Sequence, residues 1–170
     1  MSANPCSSLS VILLPALLFS SCGNNAVVAT NENQPIVTYQ MGQTVQVGPL
    51  SYNVLETKWK SQLGGGVSAK IPKNRFLVIK LTISNAASQT TSVPEMTLIA
   101  ANEQTYQEIT EGVESVPKWL GVLRNLSPVQ TEEGAVVFDV PLGAYKLHVL
   151  DGGEIGFEKK ALIEIPLQLE

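Results

Sequence analysis

The segment Arg75 to Asn85, RFLVIKLTISN, constrains the fold more than any other stretch of the chain. Leu77, Ile79, Leu81 and Ile83 recur at period two and share one face, while Lys80, Thr82 and Ser84 share the other. Side chains alternate across extended backbone, so the pattern predicts a strand with one face in a core and the other mostly wet. Gly134 to Val140 repeats the logic, with Val136, Phe138 and Val140 opposed to Ala135, Val137 and Asp139. Pro141 ends that strand where a missing N–H is tolerated. After a turn at Leu142-Gly143-Ala144, Tyr145, Leu147 and Val149 form the next apolar face, and Ala161, Ile163, Ile165, Leu167 and Leu169 form another. Upstream, Val45 and Val47 lie on one face of Gln43 to Val47, and Gly48-Pro49 turns the chain into a strand over Leu50 to Trp59. Met96 to Ala101 and Tyr106 to Ile109 are weaker strand candidates. Pro117 to Leu126 fits a short helix starting at Pro117, or an irregular strand. Short strands with turns about every eight to twelve residues, without a long helical period, predict an all-β antiparallel sandwich.

Ahead of these strands, Leu9 to Phe19 is an apolar run followed by Ser20-Ser21-Cys22-Gly23, and no charged side chain precedes Glu32. A bilayer span needs about 20 apolar residues, so this run is too short to be one. It resembles a bacterial lipoprotein signal peptide, in which a leucine-rich core leads to a small residue and then a cysteine. Phe19 stands where that family prefers Leu, and Met1 to Ser8 carries no Lys or Arg. The resemblance implies that Cys22 is diacylated and becomes the mature N-terminus, a membrane partner by way of its lipid. An ordinary secretory signal cut near the same place is the alternative. The chain then divides into a signal peptide at 1–21, a lipidated N-terminus and tether at 22–40, and a domain at 41–170. The tether is rich in Asn and small polar residues. About 17 flexible residues have a root-mean-square span of roughly 20 to 25 Å.

Cys6 falls inside the signal, and Cys22 is the only other cysteine, so the mature chain has no intramolecular disulfide available. About 148 residues remain, enough for one domain held by its core alone. A net charge of −4 and a pI near 5.1 argue against a nucleic-acid footprint. Lys159-Lys160, the one lysine pair in sequence, reads as a solvated strand edge or turn.

The order Gly42-Gln43, Val45, Val47-Gly48-Pro49-Leu50, then FLVIKLTISN, the Pro128 loop and GAVVFDVPLGAYKLHVLD carries a second resemblance. It is similar to a bacterial extracellular domain family of unknown function that shares an immunoglobulin-like fold with the mycobacterial immunoprotective extracellular antigen. The likeness covers about Gln40 to Asp151, and its marks are the long strand ending in Asn85 and the run Phe138-Asp139-Val140-Pro141. Pro128-Val129 stands where the family places Pro-Gly. These are strand and turn signals, so what they imply is an immunoglobulin-like sandwich and not an activity.

No catalytic motif accompanies them. Gly64-Gly65-Gly66 is followed by Val67-Ser68 and not by the Lys-Ser/Thr of a phosphate loop, so it reads as a flexible connection. His148 is the sole histidine and reads as a solvent-facing strand residue. Glu103, Glu108, Glu111 and Glu114 are dense but lack the Asp/Asn alternation and fixed glycine of a calcium loop. Asp151-Gly152-Gly153-Glu154 is a turn sequence. Neither metal nor cofactor is expected. The sequence points to a non-enzymatic envelope lipoprotein that binds an envelope or extracellular macromolecule, with a small-ligand or metal-binding lipoprotein and an envelope hydrolase as alternatives. Its contact surface is expected on the loops Gly64 to Lys70 and Glu111 to Leu120, where Gly64, Gly65 and Gly66 supply adaptability and Trp119 is either an aromatic anchor or a core residue.

Overall fold

The structure is a computed structural model that describes residues 36–154 and 157–168. The expected signal segment, Cys22 and the stretch up to Pro35 lie outside the described residues, as does Leu169. In chain order the strands are β1 (Val37–Gln40), β2 (Val45–Val47), β3 (Leu50–Lys60), β4 (Arg75–Asn85), β5 (Thr91–Ser92), β6 (Thr97–Ala100), β7 (Thr105–Gln107), β8 (Asn125–Leu126), β9 (Thr131–Val140), β10 (Tyr145–Leu150) and β11 (Lys160–Ile165). They form an immunoglobulin-like sandwich of a five-stranded sheet, β1-β11-β10-β6-β7, and a four-stranded sheet, β2-β3-β4-β9, with β5 and β8 as a separate short pair. The pairings are antiparallel except for β1 on β11.

The core lies where the alternation placed it. Leu77, Ile79, Leu81 and Ile83 of β4 and Val136, Phe138 and Val140 of β9 face Tyr145, Leu147 and Val149 of β10 and Ala161, Ile163 and Ile165 of β11. Tyr52 joins them and spans the sandwich, its phenol donating to the Leu150 carbonyl at 2.6 Å. Burial, and after it the Asp151 carboxylate, raise that phenol's pKa far above its usual value. Asn85 ends β4 and is itself buried: its Nδ2 donates to the carbonyls of Gln89 (2.8 Å) and Leu126 (2.9 Å), and its Oδ1 accepts from the Ala87 N–H. Asp139 faces the other end, accepting the N–H groups of Lys73 (2.6 Å) and Asn74 (2.8 Å) and so capping the turn into β4.

Three expectations are corrected. Val37–Gln40 belongs to the sandwich and not to the tether, because the free edge of β11 takes it up in register from Val37 opposite Ala161 to Gln40 opposite Glu164. Its four residues are mostly exposed, with Tyr39 alone reaching the core, so they carry no alternation to read. Pro117 to Leu126 is neither a helix nor one strand. Lys118 at φ 56° and Gly121 at φ 72° break a helical path, and Trp119 makes an isolated bridge to Ala135. Gly134 permits this approach, since a Cβ there would overlap the Leu120 side chain and lie 3.0 Å from the Lys118 carbonyl. Third, the second face of β4 and β9 is not mostly wet: Phe76, Ala135 and Val137 are buried on it.

That face is defined by a bulge. The register of β3 on β4 shifts between Val54 and Glu56, leaving Leu55 as the extra residue. Tyr52 and Val54 point into the core before it, and Thr57 and Trp59 pair with Ile79 and Leu77 after it. Glu56, Lys58 and Lys60 are thereby turned to the outside, which spares their charges burial.

Candidate functional site

A second apolar cluster, separate from the core between the sheets, sits on the outer face of the four-stranded sheet. Phe76, Ala135 and Val137 supply its floor from β4 and β9, while Leu63, Val113 and Val116 close over them from two loops. Backbone bonds attach the covering segment to the exposed edge of β9: Ile109 N–H to the Val137 carbonyl, Leu120 N–H to the Ala135 carbonyl, and Ala135 N–H to the Lys118 carbonyl. An otherwise unpaired edge is covered in this way.

The two loops named from sequence meet here. Leu63 and Lys70 exchange backbone hydrogen bonds of 3.0 and 2.9 Å, closing the glycine loop at its base. Gly64 and Gly66 take positive φ inside it, and Val67 is fully exposed at its tip. The Lys70 ammonium donates to the Glu111 carbonyl, linking that loop to Glu111 to Leu120. Trp119 is half-buried against the outer cluster, and its indole N–H has no acceptor among the described residues. Gly64, Gly65 and Gly66 therefore lie at an exposed tip, whereas Trp119 is partly spent on packing.

Beside this cluster the face opens into a groove of about 290 Å³. Val78, Val116, Pro117 and Ala135 give it an apolar floor, and Lys58, Lys60, Lys80 and Lys118 rim it. Glu133 accepts from both Lys80 (2.9 Å) and Lys118 (3.0 Å), and Lys58 pairs with Glu56 at 2.9 Å. The two lysines hold the Glu133 carboxyl below its usual pKa, first through hydrogen bonds and then through charge.

The acidic residues considered for calcium are dispersed. Glu108 is fully occupied in a buried bidentate pair with Arg124, whose Nη1 lies 3.0 Å from Oε1 and whose Nη2 bonds Oε2. Arg124 Nε also donates to the Gly121 carbonyl at 2.7 Å, and Glu108 Oε1 accepts the Met96 N–H. The Glu114 carboxylate accepts the Gly112 N–H, and Glu103 is exposed in the β6–β7 turn. No group of three or more metal-ligating side chains occurs among the described residues. Asp151 works as a turn residue, its Oδ1 accepting the N–H groups of Gly153 (3.0 Å) and Lys159 (3.1 Å). His148 is half-buried on the outer face of the other sheet, with Nδ1 3.4 Å from Thr97 Oγ1. Burial, reinforced by Lys160 and opposed by Glu158, pushes its pKa below the usual value.

Sequence reading missed the Arg124–Glu108 pair and the outer cluster. The cluster had a signal in the unbroken run Val136-Val137-Phe138, because a strand apolar on consecutive residues is buried on both faces. The ion pair joins residues 16 apart and is a matter of space alone.

Residues 39–161 match the model of a family described as a domain of unknown function, DUF4352. The chain belongs to this family. Among solved structures, this DUF4352 chain is similar to the yjhA protein of Bacillus subtilis, with 15% identity and a TM-score of 0.56 over 74% of this chain and 98% of that one. It is similar also to a putative lipoprotein, ycdA, of the same species, at 14% identity and a TM-score of 0.59, covering 75% of this chain but only 39% of ycdA. MPT63, a secreted protein from Mycobacterium tuberculosis, aligns at 15% identity and a TM-score of 0.51, over 78% of this chain and 100% of its own. At such identities the likeness is one of fold. No curated protein matches the DUF4352 chain in sequence.

Proposed function

We propose that this DUF4352 protein is an envelope-anchored lipoprotein, tethered through Cys22, whose sandwich acts as a non-enzymatic interaction module. The outer cluster carries this reading. It joins the loops Gly64 to Lys70 and Glu111 to Leu120 through Leu63, Val113 and Val116 and the Lys70–Glu111 bond, with exposed Val67 on the first loop and half-buried Trp119 on the second. Loops on a rigid sandwich are where such folds present binding residues. The anchor is supported by the apolar run ahead of Cys22, and an envelope or extracellular address agrees with a secreted neighbour and a neighbour described as a putative lipoprotein. The non-enzymatic reading draws on His148, the sole histidine, being half-buried beside Thr97.

Photo-crosslinking in the native envelope tests the surface. A crosslinker at Val67 or Lys118 should trap one partner that a crosslinker at Thr38, on β1, does not. Equal trapping from all three positions would remove the outer face from consideration. Trp119→Ala should weaken trapping while lowering the melting temperature only modestly; a large loss of stability would assign Trp119 to packing alone. The small-ligand reading has one observation in its favour, the lysine-rimmed groove.

A further inference from the structure

We infer that the groove between β3, β4 and the 116–118 segment is a binding site for an amphiphilic anion, a carboxylate or phosphate carried on a compact apolar body. This rests on the reading of the outer face as a binding surface and names the chemistry that face takes. Four lysines line the groove from three separate elements: Lys58 and Lys60 from β3, Lys80 from β4 and Lys118 from the covering loop. Glu56 pairs with Lys58, and Glu133 takes both Lys80 and Lys118, so two of these lysines share one carboxylate on a chain whose net charge is −4. Lys60, paired with Phe76 through the ladder, has no ion pair or hydrogen bond at its ammonium among the described residues.

Lysines on an exposed strand also serve to deter edge-to-edge pairing, and Lys58 and Lys60 fit that purpose, since β2 covers only the first residues of β3. Lys80 does not fit it, being on β4 between β3 and β9, and Lys118 lies outside the sheet altogether. The two are joined to each other through a shared Glu133, at 2.9 and 3.0 Å. An anti-pairing rim also has no need of an apolar floor, yet Val78, Val116, Pro117 and Ala135 provide one. A volume of about 290 Å³ stands at the small end of ligand pockets, so the occupant is a ring system or short chain and not a polymer. The convergence of ammonium groups disfavours a cation and selects an anionic head, while the floor takes the apolar body.

The test uses the full-length protein in phosphatidylcholine nanodiscs, with labelled Val and Ala methyl groups followed by NMR during titration with 2-naphthoate. Naphthalene-2-methanol reports the floor without the charge, and acetate reports the charge without the floor; empty nanodiscs give the background. The expected result is a saturable shift of the Val78, Val116 and Ala135 methyls with 2-naphthoate, and affinity at least tenfold lower for either control. Lys60→Gln combined with Lys118→Gln, both exposed positions, should lower naphthoate affinity at least tenfold while the rest of the methyl spectrum stays in place. Naphthyl phosphate replacing naphthoate separates phosphate from carboxylate preference. Absence of a saturable shift, equal affinity for the alcohol, or full affinity in the double glutamine variant would each overturn the assignment. Failure here with Val67 crosslinks retained leaves the interaction surface standing and removes only the anion site. Naphthoate binding with no Val67-specific crosslink does the reverse.

Discussion

Arg124 and Glu108 illustrate how a single buried charge can dominate a side chain's role. Both are almost fully buried, and each satisfies the other's charge and several hydrogen bonds. Arg124→Met leaves a carboxylate without its partner in the interior and should cost about 3 to 5 kcal/mol in urea unfolding. Adding Glu108→Leu should recover only part of that loss, because the Met96 N–H then lacks its acceptor, an omission of about 1 to 3 kcal/mol. Full recovery would show that the Met96 bond contributes nothing. Phe138 has no polar role and is completely buried. Phe138→Ala should therefore cost about 3 to 5 kcal/mol through lost burial and the cavity left behind. A near-neutral result would mean that β9 presents its other face to the core.

Among the elements, β9 and β10 differ in a way that pH can read. β9 is covered on both faces, by the core and by the outer cluster, whereas the outer face of β10 carries Lys146 and a half-buried His148. His148 has a lower pKa folded than unfolded, so the unfolded chain takes up a proton first as the pH falls. The stability that goes with neutral His148 is then complete above its ordinary pKa of 6.5 and declines as the pH drops through 6.5 toward the lowered folded value. Wild type should lose stability relative to His148→Gln between about pH 7 and pH 5. Denaturation midpoints that keep a constant separation across that window would contradict the burial of the imidazole. β3 makes a related point about geometry: its bulge at Leu55 reverses the faces, and Lys58 and Lys60 reach the groove only because of that reversal.

For the molecule as a whole, stability and location are expected to have separate sources. Cys6 and Cys22 are the only cysteines and both precede the sandwich in sequence, so it should melt at the same temperature with and without a reducing agent. The anchor should reside in Cys22 alone. Acyl chains contribute about 0.8 kcal/mol per buried methylene, and two chains give stable attachment. Cys22→Ala should therefore move the protein out of the membrane fraction without changing the melting of the domain, and mass spectrometry of the mature N-terminus should find a diacylated cysteine. An unmodified N-terminus at another residue would leave the protein secreted and not anchored.

That the fold is all-β, and which side chains of β4, β9, β10 and β11 enter the space between the sheets, is legible in the residues alone, except that Leu167 lies past the end of β11 and is exposed. Period-two alternation in β4, β10 and β11 is a local property that survives in any sandwich, and the family marks Asn85 and Phe138 to Pro141 fall on strand ends whose bonds the structure accounts for. Tertiary structure alone decided what covers the opposite faces. Alternation reports that a residue points away from the core, but not whether a distant loop returns to bury it, as residues 113–116 do for Phe76 and Val137. Short segments were decided the same way: Val37–Gln40 has strand-forming residues but no buried alternation, and it became a strand because an edge of β11 was available. The candidate site belongs almost wholly to this second class, since Lys58, Lys80, Lys118 and Glu133 are remote in sequence and converge only through strand register, a bulge and a loop crossing.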